Sequence, residues 1–190
     1  MAESAPTLVL VHGAFADASS LRALYNELVG EGLTMIVPPN PLRGLTGGDG
    51  EYLKAVIGEI DGPVLLVGHS YGGSVITAAG TADNVVGLVY ISGFAPDEGE
   101  NLSDLQSKFP APKIAAYIVQ HQLPGGGSEF TLALDGFHES FCADVPVEDA
   151  GVLRDLPAPA RRGRAHRGGA NTRMAQPPGL GGTAHRRRRH

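Results

Sequence analysis

The stretch that decides the fold is Pro63-Val-Leu-Leu-Val-Gly-His-Ser-Tyr-Gly-Gly73. Residues 64–67 are apolar without interruption, which predicts a strand buried on both faces of a parallel sheet. Residues 68–72 then match the pattern G-x-S-x-G, and apolar residues up to Ala79 predict the packing side of a helix. A buried strand, a tight turn and a helix in this order form the context in which this pattern exposes a nucleophilic serine.

The turn requires small residues on both sides of the serine. Gly68 and Gly72 allow the strand and the helix to approach each other, while Ser70 adopts a strained backbone conformation that lifts its hydroxyl above the sheet edge. The helix N-terminus is then directed at developing negative charge. An ordinary glycine-rich turn or a phosphate-binding loop would satisfy the same five residues, so the interpretation depends on a second motif upstream.

That second motif follows the first predicted strand. Thr7 to Val11 is an apolar, β-branched run that leads into His12-Gly13-Ala14-Phe15, a turn able to present backbone N–H groups. A helical face follows, for which Asp17 or Ser19 is the predicted cap. Its apolar positions recur at helical spacing: Leu21, Leu24, Tyr25, Leu28 and Val29.

The same alternation continues along the chain. Residues 33–37 and 85–91 predict two further strands, and a helical face from Tyr52 to Ile60 precedes Pro63. Four strands alternating with helices require crossover connections, which predicts an α/β fold with a mostly parallel sheet between two layers of helices.

The alternation stops at Pro96. Residues 97–153 contain short amphipathic pieces broken by prolines and by Pro124-Gly-Gly-Gly127, which predicts a helical cap inserted over the site. The domain prediction is therefore one domain over residues 1–153, with a core at about 6–96 and a cap at about 97–153. We expect the cap to line the site with apolar side chains: Leu102, Phe109, Ile114, Phe130, Phe137 and Phe141.

The charge of the chain is divided unevenly. Residues 1–153 contain 5 Lys and Arg against 19 Asp and Glu, whereas residues 154–190 contain 10 Arg and one Asp. The second segment has no apolar run longer than two residues and no helical period, which predicts a disordered, Arg-rich tail over 154–190. Taken at face value, such a tail favours a basic arm for nucleic acid or anionic membrane.

The motifs together carry a family resemblance. The chain resembles the α/β-hydrolase fold, and within it the small bacterial esterases related to plant methyl-ester esterases and hydroxynitrile lyases. The matching segments are residues 8–15, 41–45, 67–73, 94–100 and 137–144. The resemblance implies an ester hydrolase that acts on small carboxylic esters through an acyl-enzyme on Ser70.

The resemblance also assigns roles to individual residues. It makes Ser70 the nucleophile, gives the oxyanion hole to the backbone N–H groups of Ala14 and Tyr71, and places Gly13, Phe15 and His69 beside the substrate. It implies no cofactor and no metal. The expected partner is a small-molecule ester, with no nucleic acid and no membrane.

The acid and base of the catalytic triad lack assigned positions. The family carries them on later strands, in the order Ser, acid, His, and residues 154–190 contain no such strands. His69, His121 and His138 are weak candidates for the base, and Asp97 is a weak candidate for the acid. The resemblance therefore predicts an impaired, truncated chain.

A frameshift explains the tail better than a basic arm does. Met174 requires the codon ATG and Ala175 begins with G, so the frame one nucleotide later encodes Trp at this point. We expect a shifted frame near residues 153–156 to continue for roughly 80 residues and to encode two more strands bearing Asp and His. An early stop codon in that frame would contradict this expectation.

Three functional classes remain open at this stage: an impaired serine esterase, a non-catalytic binder of a small apolar ligand, and a basic-tailed nucleic-acid binder. A cytoplasmic location is expected, because the single Cys142 cannot form an internal disulfide and residues 1–4 lack the basic start of a signal peptide.

Overall fold

The computed structural model describes residues 5–45, 48–124, 126–155 and 160–162. Its main sheet has the strand order β2-β1-β3-β4, with all pairs parallel. These strands are β1 Thr7–Val11, β2 Met35–Ile36, β3 Val64–His69 and β4 Val85–Ile91. The predicted parallel sheet is confirmed, and the predicted bounds of β1 and β4 agree with the observed ones.

Helices cover both faces of this sheet. A 3-10 helix at Ala18–Leu21 leads into α1 (Arg22–Val29), while α2 (Asp49–Gly58) and α3 (Tyr71–Ala79) lie on the opposite face. The Asp17 side chain accepts a hydrogen bond from Ser19 N–H and so caps the 3-10 helix, whereas α1 itself follows Leu21 without a side-chain cap. The predicted arrangement of helix, sheet and helix layers is confirmed.

The core consists of one apolar cluster on each face of the sheet. The α1 face buries Leu8 and Leu10 against Leu21, and the other face buries Val9 and Leu66 among the side chains of α2 and α3. Each such side chain contributes about 1.5–3 kcal/mol when it is removed from water. The alternation along β1 explains why one strand serves both clusters.

The sequence predicted a helical cap, but the structure shows a mixed one. Its elements are α4 (Leu102–Ser107), a 3-10 helix at Lys113–Tyr117, β5 (Ile118–Gln122), β6 (Ser128–Leu132), α5 (Phe137–Phe141), α6 (Val147–Asp155) and β7 (Ala160–Arg162). The strands form an antiparallel sheet in the order β5-β6-β7. Cross-strand pairing overrides the helical spacing that the sequence suggested for this region.

The cap extends past the predicted boundary at residue 153. Helix α6 continues to Asp155, and β7 pairs with β6 through Ser128 and Arg162. The first residues of the segment predicted as a tail are therefore part of the cap sheet. Residues 156–159 and 163–190, including the four consecutive Arg, lie outside the described residues.

Candidate active site

Ser70 occupies the junction between β3 and α3. Its backbone has φ 52° and ψ −120°, a conformation that L-residues rarely adopt. Ser70 N–H donates to Ile91 O at 3.2 Å, and Ser70 O accepts from the backbone N–H groups of Gly73 at 3.0 Å and Phe94 at 3.1 Å. The turn is therefore held from the side of β4 as well as from α3, which maintains the strained geometry.

Close backbone approach explains the glycines around Ser70. A Cβ at Gly68 would lie 2.6 Å from Gly72 O, and a Cβ at Gly72 would lie 2.3 Å from Val11 O. Both distances are below 3.0 Å, a separation that real Cβ atoms essentially never show. Glycine is thus required by packing at these two positions, since neither has a positive φ.

The loop after β1 packs directly against this turn. A Cβ at Gly13 would lie 3.0 Å from Ser70 Cβ and 3.3 Å from His69 Nδ1. Phe15 in the same loop has φ 61°. The loop brings Ala14 and Phe15 to the rim of the cavity that also contains Ser70 and Tyr71.

A buried hydrogen-bond pair holds this loop. His12 is 2% exposed, its Nδ1 lies 2.9 Å from Gly13 O, and its Nε2 lies 3.1 Å from Asn40 N. Asn40 Nδ2 also donates to His12 O at 3.0 Å. A neutral ring with its proton on Nδ1 satisfies both contacts, because Nε2 must accept. Burial lowers the pKa of His12, which favours this neutral form.

A cavity of about 300 Å³ opens above Ser70 between the sheet and the cap. Its polar side chains include Ser70, Ser92 and Gln106, and most of the remaining lining is apolar. The sheet side contributes Ala14, Phe15, Tyr71 and Phe94, and the cap contributes Leu102, Pro112, Ile114, Ala115, Ile118 and Phe141. Such a site accepts a small apolar group and leaves few polar contacts to orient it.

Backbone strain is concentrated at this cavity. Among the described residues, the non-glycine positions with positive φ are Phe15, Leu42, Ser70 and Ser92, and all except Leu42 line the cavity. Strained backbone of this kind clusters at active sites and ligand clamps. Sequence reasoning found Ser70 but missed Ser92, because a positive φ at serine has no signature in composition or spacing.

The structure brings together most of the residues predicted for the site. Ser70, Ala14, Tyr71 and Phe15 line one cavity, whereas Gly13 and His69 are absent from its lining. Substrate contact by Gly13 and His69 stays a prediction. Three of the cap side chains expected at the site line it, but Phe109 is 67% exposed and Phe130 and Phe137 are buried within the cap.

The candidate bases are engaged elsewhere. His138 Nε2 lies 2.8 Å from Val145 O, and His121 Nε2 lies 2.8 Å from Thr131 Oγ1 in the cap hairpin. Burial lowers the pKa of His69, whose ring lies against the loop after β1. No hydrogen bond joins these three rings or His12 to the Ser70 hydroxyl. Asp97 is exposed, and its backbone N–H donates to Glu100 Oε2 at 3.0 Å.

The described part of the chain shows neither a candidate metal centre nor a membrane-spanning helix. Within residues 5–45, 48–124, 126–155 and 160–162, no group of three or more His, Cys, Asp or Glu is placed to hold a metal ion. No helix in those ranges is long and apolar enough to cross a membrane.

Comparisons with known proteins show which family and fold the chain shares. The model of the α/β-hydrolase family matches residues 8–186. The carbendazim hydrolyzing esterase of Nocardioides sp. (strain SG-4G) is 31% identical over 162 residues, which cover 77% of this chain and 63% of that protein. The chain thus spans less than two thirds of the length of this curated relative.

Solved structures share the fold. Polyneuridine aldehyde esterase superposes with a TM-score of 0.69 at 22% identity, covering 83% of this chain and 70% of that one. Tomato methylketone synthase I, complexed with 2-tridecanone, has a TM-score of 0.62 at 16% identity and coverages of 83% and 68%. An extracellular α/β-hydrolase from a Paenibacillus species has a TM-score of 0.59 at 22% identity, with coverages of 82% and 67%.

Proposed function

Because the chain belongs to the α/β-hydrolase family, we propose that it derives from a carboxylic ester hydrolase with Ser70 as its nucleophile. The observation that supports this most is the strained Ser70, at φ 52° between β3 and α3, in a cavity shared with Ala14 and Tyr71. The curated relative of similar sequence is itself a hydrolyzing esterase.

The proposed reaction is acyl transfer in two steps. The Ser70 hydroxyl gives up its proton to solvent water as its oxygen attacks the ester carbonyl. The carbonyl oxygen becomes an anion that accepts hydrogen bonds from the N–H groups of Ala14 and Tyr71. Collapse of this intermediate breaks the bond to the alkoxy group, which takes a proton from water and leaves as the alcohol, while the acyl group stays on Ser70. Water then attacks the acyl-enzyme, and the carboxylic acid leaves.

The substrate class follows from the cavity. Its volume of about 300 Å³ and its apolar lining favour a small ester with an apolar acyl or alcohol group. Ser92 and Gln106 are the polar side chains available to orient such a substrate on the side of β4 and the cap.

We expect the 190-residue chain to react slowly. A serine hydroxyl is a weak nucleophile until a base accepts its proton, and no hydrogen bond joins the Ser70 hydroxyl to His12, His69, His121 or His138. Loss of triad function costs up to about 10⁶ in turnover, while an intact oxyanion hole retains roughly 10³ to 10⁴ over water. Residual turnover would then depend on the oxyanion donors more than on Ser70.

Acylation by p-nitrophenyl acetate, followed by mass spectrometry, tests the nucleophile. We expect an acetyl adduct on Ser70 that is lost in Ser70→Ala and kept in Ser107→Ala, whose exposed hydroxyl on α4 donates to Asp104 O. A chain expressed from the shifted reading frame should hydrolyse the same ester much faster and lose that rate in Ser70→Ala. An adduct that persists in Ser70→Ala would overturn the proposal.

A non-catalytic binder of small apolar ligands is the second candidate. It is favoured by the lack of a hydrogen bond between Ser70 and any of the four described histidines, because this lack slows turnover but leaves the cavity intact. Saturable binding of an apolar carboxylate, with no Ser70 adduct after prolonged exposure to the ester, would support the binder instead of the hydrolase.

A further inference from the structure

Three segments of the chain meet at the carboxylate of Asp49. Its Oδ1 accepts the backbone N–H of Arg43 at 3.0 Å, and its Oδ2 accepts the backbone N–H of Gly44 at 2.9 Å. Oδ2 also accepts the Tyr71 hydroxyl at 2.8 Å. One side chain thereby joins the loop before α2, the first turn of α2 and the first residue of α3.

Asp49 is buried, with an exposure of 1%. Burial raises its pKa, and the hydrogen bonds from Tyr71, Arg43 and Gly44 oppose that rise. Its position in the first turn of α2 also favours the ionised form, because the helix N-terminus carries partial positive charge. The three donors and the helix end together compensate the burial of the carboxylate.

Tyr71 directly follows Ser70, and its own backbone N–H is the proposed oxyanion donor. The ring is 2% exposed and packs in the same apolar cluster as Leu42 and Leu53. Its hydroxyl hydrogen is accepted by Asp49. Two hydrogen bonds therefore fix the Ser70–Tyr71 peptide. Ser70 O accepts the backbone N–H of Gly73, and the Tyr71 hydroxyl donates to Asp49.

We propose that Asp49 is a positioning residue, which holds the Tyr71 ring and thereby aims the Tyr71 backbone N–H at the substrate oxygen. The claim that the Tyr71 N–H is aimed at the substrate oxygen rests on the proposed function. The mechanical claim, that Asp49 holds the Tyr71 ring, does not. An oxyanion donor must lie about 2.7–3.1 Å from the developing anion to be effective. A displacement of about 1 Å in a catalytic group costs about 100-fold in rate.

The loop contacts of Asp49 serve the same arrangement. Leu42, just before Arg43, has φ 55° and is 1% exposed within the cluster that contains Tyr71. Asp49 accepts the N–H groups of the next two residues, so it holds the strained loop against the ring that it anchors. Loss of the carboxylate therefore releases the loop and the Tyr71 ring at once.

The kinetic test combines Asp49→Asn and Tyr71→Phe with their double variant, assayed as hydrolysis of p-nitrophenyl acetate above the uncatalysed rate. Each single change should lower kcat about 10- to 100-fold with little change in KM, because ground-state binding in the apolar cavity is untouched. In the Tyr71→Phe background, Asp49→Asn should lower kcat less than twofold. Equal effects of Asp49→Asn in both backgrounds would overturn the positioning role.

Asn84 provides the matched control at the opposite end of α2. Its Nδ2 donates to Ile57 O at 2.8 Å and to Ile60 O at 3.3 Å, far along the helix from Asp49. Asn84→Ala should lower the free energy of unfolding while leaving kcat per folded molecule unchanged. A comparable fall in kcat in this variant would show that any loosening of α2 suffices, which would also overturn the proposal.

Hydrogen exchange decides the mechanical part without turnover. Asp49→Asn and Tyr71→Phe should both accelerate amide exchange in the peptide covering residues 70–73, and Asn84→Ala should not do so beyond its global effect. Unchanged exchange there in Asp49→Asn would refute the anchor. A parent chain with neither turnover nor an acetyl adduct on Ser70 would instead count against the proposed hydrolase, and exchange would still decide whether Asp49 holds Tyr71.

Discussion

Replacing Ser70 by glycine should stabilise the protein while removing its nucleophile. A side chain at φ 52° and ψ −120° costs about 1–3 kcal/mol, and glycine adopts this conformation without that cost. Glycine loses about 0.5–1 kcal/mol through the extra freedom of its unfolded chain. The net gain for Ser70→Gly is therefore about 1 kcal/mol.

Ser70→Ala is the matched control for this change. Alanine keeps Cβ and so keeps the strain, and the Ser70 hydroxyl makes no hydrogen bond with the described residues, so its loss should change stability by less than about 0.5 kcal/mol. At an unstrained site glycine is less stable than alanine by about 0.5–1 kcal/mol. At residue 70 we expect the reverse order, with Ser70→Gly more stable than Ser70→Ala. The sign of the difference between their free energies of unfolding therefore reports whether the backbone is strained.

Urea unfolding measures the difference. With an m-value of about 2 kcal/mol/M, a gain of about 1 kcal/mol raises the midpoint by about 0.5 M, and the Tm should rise by about 2–4 °C. Both variants should lack the acyl adduct at residue 70. If Ser70→Gly were less stable than Ser70→Ala, the inference that the backbone at residue 70 is strained would be refuted.

Three further predictions concern stability and association. Ser74 Oγ is buried with no hydrogen-bond partner, so Ser74→Ala should raise the free energy of unfolding by about 1–2 kcal/mol, and an unchanged urea midpoint would contradict this. Burial holds the pKa of His12 below 6.5, so the unfolded state binds its proton first as the pH falls. Stability should therefore decline as the pH falls below about 6.5, with a flatter profile in His12→Asn, and equal slopes would exclude His12 as the cause. Strand β4 is an edge of the described main sheet and Val86 is 62% exposed, so Val86→Lys should reduce light scattering on concentration more than Val29→Lys on α1, and equal effects would show that the edge is not responsible.

Local patterns predicted the core of the fold well. Thr7–Val11 and Val85–Ile91 are rich in β-branched and other apolar residues, so their bounds follow from the residues alone. The family resemblance is confirmed by the family model over residues 8–186. The predicted length of β2 was too great, because only Met35–Ile36 of the predicted residues 33–37 pairs with β1.

Local patterns failed in the cap for a physical reason. Strand β5 has the sequence Ile-Val-Gln-His-Gln, which contains too little apolar alternation to indicate a strand. It exists because each residue from Ile118 to Gln122 pairs with a residue of β6, as Gln120 does with Phe130. A pairing of this kind depends on a partner strand and therefore cannot be read from one segment.

The sequence by itself determined the strand–turn–helix order around Ser70 and the need for Gly68 and Gly72, because chain stereochemistry at a tight turn is a local matter. The tertiary structure alone decided that Asp49 meets Tyr71 across 22 residues, since that contact requires α2 to pack on α3. It also decided that Phe15, Ser70 and Ser92 bring their strained backbones to one cavity. These residues come from the ends of three strands, and parallel strands place their carboxyl ends at the same edge of a sheet.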